Sequence, residues 1–164
     1  MHIILIDNAV IKGYHEFQIR PPPTMLLPVT RELGNKHDPN ACLVWVPKLD
    51  QIPASEWNMV TDEKRGETVR TIAGLPIGRV PRGISKCFWE LLGSPDINDI
   101  NCRQMGVPCK SFPPWPNQHS PGGGAVMPCS YRIEVKSGHQ YVLQKVRAAV
   151  AAMDESTVLE VHML

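Results

Sequence analysis

The chain lacks a dominant charge: 17 Lys and Arg stand against 16 Asp and Glu, a formal net charge of +1 over 164 residues. A protein that grips nucleic acid through a broad phosphate footprint is far more basic, so any such binding here is local. Long apolar runs are missing too. Nothing approaches the roughly 18 residues of a membrane span. The run Ile3-Ile4-Leu5-Ile6, followed directly by Asp7, is too short for a secretory core. A soluble intracellular chain, nuclear or cytoplasmic, is the expectation. Heptads and internal repeats are absent. So are a P-loop, a G-x-G-x-x-G after a strand and H-E-x-x-H, and no cysteine sits in an activating context, so no enzyme is expected. The five cysteines (Cys42, Cys87, Cys102, Cys109, Cys129) are odd in number and widely spaced, which suits a reducing compartment better than a disulfide framework. A zinc set of Cys102, Cys109, His119 and Cys129 has no C-x₂₋₄-C pair to support it. No metal and no cofactor are expected.

What is abundant is proline, 16 residues, which excludes an all-helical bundle and favours short strands joined by stiff loops. With 43% hydrophobic residues the chain has material for a core, and its length fits one domain, taken as residues 1–155 with 156–164 as a tail or edge strand. Residues 2–6 and 9–11 read as an opening strand or hairpin, and 26–30, 41–46, 75–80 and 97–107 as further short strands. Tyr131, Ile133 and Val135 alternate with Arg132, Glu134 and Lys136, the period of a half-buried strand. Residues 48–72 carry no helical stripe and are expected to form a long exposed loop or loose hairpin.

Two helices are expected. Pro81 opens the first, Ile84, Cys87, Phe88, Leu91 and Leu92 give it one apolar face, and Gly93 ends it. Ser137 and Gln140 suggest a capping box for the second, whose buried stripe is Val142, Val146, Ala149 and Met153. The sum is mainly β with two helices: a small OB-like or modified β-barrel flanked by two α-helices, with a compact αβ sandwich as the rival.

Two segments carry candidate chemistry. In RELGNKHDPNA (31–41), Arg31 offers a donor fork, and Asn35, His37, Asp38 and Asn40 crowd one turn; the same residues equally serve to stitch that turn together. In IGRVPRGISK (77–86), Arg79, Arg82 and Lys86 stand where a strand hands over to a helix, either an anion seat or a solvated helix face.

Together with VIKGYHEF (10–17) and PGGGAVMPCSYRIEV (121–135), these segments resemble, in order and spacing over most of the chain, the HIRAN domain, closest to stand-alone HIRAN-like proteins of animals. The resemblance implies a barrel that captures the 3′ end of single-stranded DNA without catalysis. It assigns Asp38 to the terminal sugar hydroxyl, and Tyr14 and His15 to stacking and backbone contact. Asn35 and His37 would shape the pocket, and Arg79 and Arg82 would hold phosphates. Arg31, Lys36 and Lys86 extend the basic set, and a steep salt dependence is expected. Where the family has a late stacking aromatic this chain has Ala125 or Val126, with Trp115 of the proline-rich loop (residues 110–125) as the substitute. The alternative is a protein-interaction or adaptor module that keeps the barrel, with Trp115 as anchor for a protein partner.

Overall fold

The structure, a computed structural model, describes residues 2–116, 124–153 and 158–164. Apolar β-branched residues build β1 (His2–Ile11), which carries a bulge between Ile6 and Ala9, with Asn8 at φ 61°. Further along the chain come β2 (Leu26–Arg31), β3 (Cys42–Trp45), β6 (Pro76–Arg79), β7 (Ile97–Gln104) and β9 (Ala125–Val135). Pairing runs β1-β9-β7-β2-β3-β6, all antiparallel. The ring then closes, because Lys12, just past β1, exchanges both backbone hydrogen bonds with Arg79 at the end of β6, each 2.9 Å. A mainly β barrel flanked by helices is what the proline count and strand periods lead one to expect. The tail supplies β10 (Glu160–Met163), an outer edge strand on the first half of β1, and the short β8 (Cys109–Lys110) pairs with β9.

Alternation fills the barrel. Ile4, Ile6, Val29, Val44, Ile100, Tyr131 and Ile133 are all buried, and the Tyr131 hydroxyl donates to the Val10 carbonyl at 2.7 Å. The helix α3 (Arg82–Leu92) starts after Pro81 and stops at Gly93, and it buries Ile84, Cys87, Phe88 and Leu91. Its Phe88 meets Tyr131 edge-on at 5.1 Å. Against α3 packs α4 (His139–Ala151), which buries Val142, Val146 and Val150. The expected capping box does not form. Gly138 occupies the cap in a left-handed conformation, and Ser137 instead donates to Asp96 at 2.6 Å.

The segment 48–72, expected as a long exposed loop or loose hairpin, does contain a hairpin, but it is anchored rather than loose. It holds the hairpin of β4 (Val60–Asp62) and β5 (Glu67–Thr68) and the one-turn α2 (Val69–Ile72), and it sends Ile52, Val69 and Ile72 into the core. Three apolar anchors spread over 21 positions leave no periodic trace. Among the described residues no helix is long and apolar enough to cross a membrane.

Candidate functional site

A cleft of about 440 Å³ opens where the ring closes. Its walls come from Lys12 and Gly13 after β1, Glu16 of the one-turn helix α1 (Tyr14–Phe17), the turn Asn35–Asp38, Arg79 and Arg82. Close approach of backbone makes it possible. A Cβ on Gly78 would lie 2.4 Å from the Lys12 carbonyl oxygen, so only glycine lets β6 reach β1. Gly13, at φ 89°, then turns the chain sharply into α1.

The turn is built from its own side chains. Asn35 Oδ1 accepts the amides of His37 and Asp38, both at 2.9 Å, and Asp38 Oδ1 accepts that of Asn40 at 2.9 Å. One carboxylate oxygen of Asp38 is thereby committed. The other, Oδ2, lies 3.7 Å from Arg82 Nε, with the Asp38 side chain 18% exposed and that of Arg82 73% exposed. Arg82 also donates a long 3.4 Å hydrogen bond to the His37 carbonyl. Lys12 reaches the same cleft. Burial, and then repulsion from Arg82, pushes its ammonium below the usual lysine range. Among the described residues Lys12 makes no ion pair.

Arg79 enters the cleft already engaged. Nε and one terminal nitrogen form a fork on Glu32 at 2.8 and 3.0 Å, and the other terminal nitrogen bonds Glu16. Its guanidinium also lies 5.4 Å from the centroid of the Phe17 ring. A donor fork spent on two carboxylates is a structural clamp, not a free phosphate ligand. Hydrogen bonding from Arg79, opposed in part by burial, holds the Glu32 carboxyl below the usual carboxylate range. A carboxyl depressed in the folded state adds stability above its unfolded pKa of about 4.3 and loses that stability as pH falls through its folded value. Thermal midpoints followed by circular dichroism should therefore drop between about pH 4.3 and lower values, and Glu32→Gln should flatten that drop.

Several expected site residues sit elsewhere. Arg31 lies outside the cleft: its Nε donates to the Trp89 carbonyl at 2.8 Å and its guanidinium stacks on Trp89 at 4.8 Å, at the far end of α3. Lys86 is exposed on α3, and Lys36 is exposed on the turn; neither lines the cleft. Tyr14 packs on the core, and its hydroxyl accepts from Arg20 at 2.9 Å. His15 Nε2 accepts the Ala125 amide at 3.2 Å. Neither residue lines the cleft. Trp115 is buried at 5% exposure, which removes it both as a stacking surface and as an exposed anchor. The rest of its loop, 117–123, lies outside the described residues, as does His119 of the zinc set. Asp7, Glu160 and His162 gather at the β1–β10 edge, where His162 Nε2 is 3.3 and 3.2 Å from the two carboxylates. Behind the cleft, burial pushes the Cys42 thiol up to about 12, so it holds its proton at neutral pH.

Sequence reading missed Lys12, Glu16 and Glu32. The one signal for them was their place beside the glycine turn and beside Arg31, and it does not say which cation each carboxylate takes. No protein-family model, curated protein or solved structure matches the chain. Fold and site together define a β-barrel domain with a mixed-charge cleft at its seam.

Proposed function

We propose that the seam cleft binds the 3′ end of single-stranded DNA and performs no chemistry on it. The observation that carries this reading is the grouping of Asp38 Oδ2, an acceptor with lone pairs to spare, with Lys12 and Arg82, the two cations not consumed by the Glu16–Arg79–Glu32 clamp. A terminal sugar hydroxyl donates to the carboxylate, and the neighbouring phosphates take the cations. The likeness of RELGNKHDPNA (31–41) and IGRVPRGISK (77–86) to HIRAN segments supports the same assignment.

With Arg31 and Arg79 engaged elsewhere, the salt dependence is shallow rather than steep. Two neutralised phosphates on a single strand give a log–log slope of about −1.4. Fluorescence anisotropy over a salt series measures it directly.

The same assay tests end recognition. A 3′-phosphate oligonucleotide places like charge against Asp38 and should bind about tenfold more weakly than its 3′-hydroxyl twin, and Asp38→Asn should abolish that difference. Equal affinity of wild-type protein for both ends, or no binding at low salt, rejects the proposal.

A further inference from the structure

Arg79 is bound on two edges, and the two carboxylates that bind it are not alike. A guanidinium has one donor edge from Nε to a terminal nitrogen and another between the two terminal nitrogens. Either edge fits a carboxylate or a phosphate. Glu32 takes the first edge, with contacts of 2.8 and 3.0 Å. Glu16 takes the second: one of its oxygens bonds one terminal nitrogen, and the other lies 3.5 Å from the second. Glu32 stands outside the cleft lining with its side chain 18% exposed, whereas Glu16 lines the cleft and is 56% exposed. The edge of Arg79 that Glu16 covers is therefore the one open to the cleft.

Little else holds Glu16 there. The helix α1 is a single turn that buries none of its residues and has no side-chain cap. Among the described residues the Glu16 carboxylate bonds only Arg79. The space around it is cationic. Lys12 stands directly opposite Arg79 across the seam, which puts both side chains on one face, and Arg82 lines the same cleft. An anionic oxygen pair on an arginine edge, in a cleft with two further cations and open to solvent, occupies the position suited to a phosphate.

We propose that Glu16 is a built-in competitor for strand phosphate: its carboxylate holds the seat on Arg79 that a third phosphate would take, and it thereby limits how tightly the cleft grips a strand. The inference rests on the reading of the seam cleft as a strand-end site, and it adds the residue that restrains its affinity. A like charge set against a contact is a general way to suppress that contact. Lys12 and Arg82 are then left to set the salt slope of the wild-type protein.

Glu16→Gln keeps the size of the side chain and removes its charge. A short 3′-hydroxyl oligodeoxynucleotide, followed by anisotropy over a salt series, should bind this variant about tenfold more tightly at low salt. The log–log slope should steepen by about 0.7, from about −1.4 to about −2.1, the mark of one more neutralised phosphate. Glu63→Gln, which removes an exposed charge outside the cleft lining, should leave the slope at its wild-type value. Adding Glu16→Gln to Arg79→Gln should not steepen the slope of the Arg79 variant, because the seat itself is gone; both are measured below their thermal midpoints. An unchanged slope in Glu16→Gln overturns the inference and leaves the cleft reading in place. Equal steepening in Glu63→Gln, or in the double variant, also overturns it, since the strand would then be sensing net charge and not the Arg79 edge. If neither wild-type protein nor Glu16→Gln binds at low salt, the cleft reading fails and the competitor has nothing to exclude.

Discussion

Gly78→Ala should lower stability by about 3 kcal/mol, the upper end of the cost of overpacking, and drop the thermal midpoint by about 6–12 °C. The added methyl would sit 2.4 Å from the Lys12 carbonyl oxygen and 2.5 Å from Ile11 Cγ2. The Lys12 carbonyl is backbone, held by the Arg79 amide at 2.9 Å, and cannot swing away as a flexible side-chain tip does. Relief therefore requires β6 to back off from β1, and the Lys12–Arg79 hydrogen bonds that close the barrel are the first to go. Amide exchange at Lys12 and Arg79 should speed up in the variant well before the global transition. Gly106→Ala is the matched control. A Cβ there meets only Pro128 ring atoms, at 3.5 Å or more, so its effect should stay within about 0.5 kcal/mol. Equal midpoints for the two variants would show that the seam is not a tight backbone contact.

Arg79→Gln and Arg82→Gln should separate stability from binding, although both guanidinium groups line one cleft. Losing Arg79 strips the half-buried Glu32 of a two-point partner and Glu16 of its cation, so about 2–3 kcal/mol of stability should go. Arg82 is 73% exposed and its pair with Asp38 spans 3.7 Å, an interaction of at most about 1 kcal/mol, so its loss should leave the midpoint almost unmoved. Oligonucleotide binding should respond in the opposite order. Arg82→Gln removes one of the two free cations and should flatten the salt slope by about 0.7. Urea titration alongside anisotropy reads both quantities. A destabilised Arg82→Gln, or an unaltered Arg79→Gln, would reverse the roles assigned to the two arginines.

Part of this was legible from residue order. Pro81, the apolar face from Ile84 to Leu92 and Gly93 mark α3 to the residue, because capping and helical period are local properties of the chain. The alternation through Tyr131, Ile133 and Val135 likewise reports a strand with one face in the core. The packing of the 48–72 segment is not legible in the sequence, since its buried anchors follow no period, and the capping box that Ser137 and Gln140 suggest does not form because Asp96, from the neighbouring turn, takes the Ser137 hydroxyl. Within the site, the turn from Asn35 to Asn40 was readable as a self-bonded turn, and its nearness to the start of α3 was a reasonable expectation. The division of labour among the arginines was not.

Residue order by itself determined a proline-punctuated, mainly β domain, the position of its main helix and the presence of two charged segments, because periodicity, capping and turn formation act over a few neighbouring residues. Only the tertiary structure decided that β6 meets the end of β1, and that Glu16 and Glu32, 63 and 47 residues from Arg79, neutralise it. It also decided that Arg31 serves Trp89, which leaves Lys12 and Arg82 to face solvent in the cleft. The physical reason is that a salt bridge is chosen by distance in space, and arginines that look alike in the sequence become a clamp, a strut or an exposed cation according to which carboxylate or ring the closed barrel brings within reach.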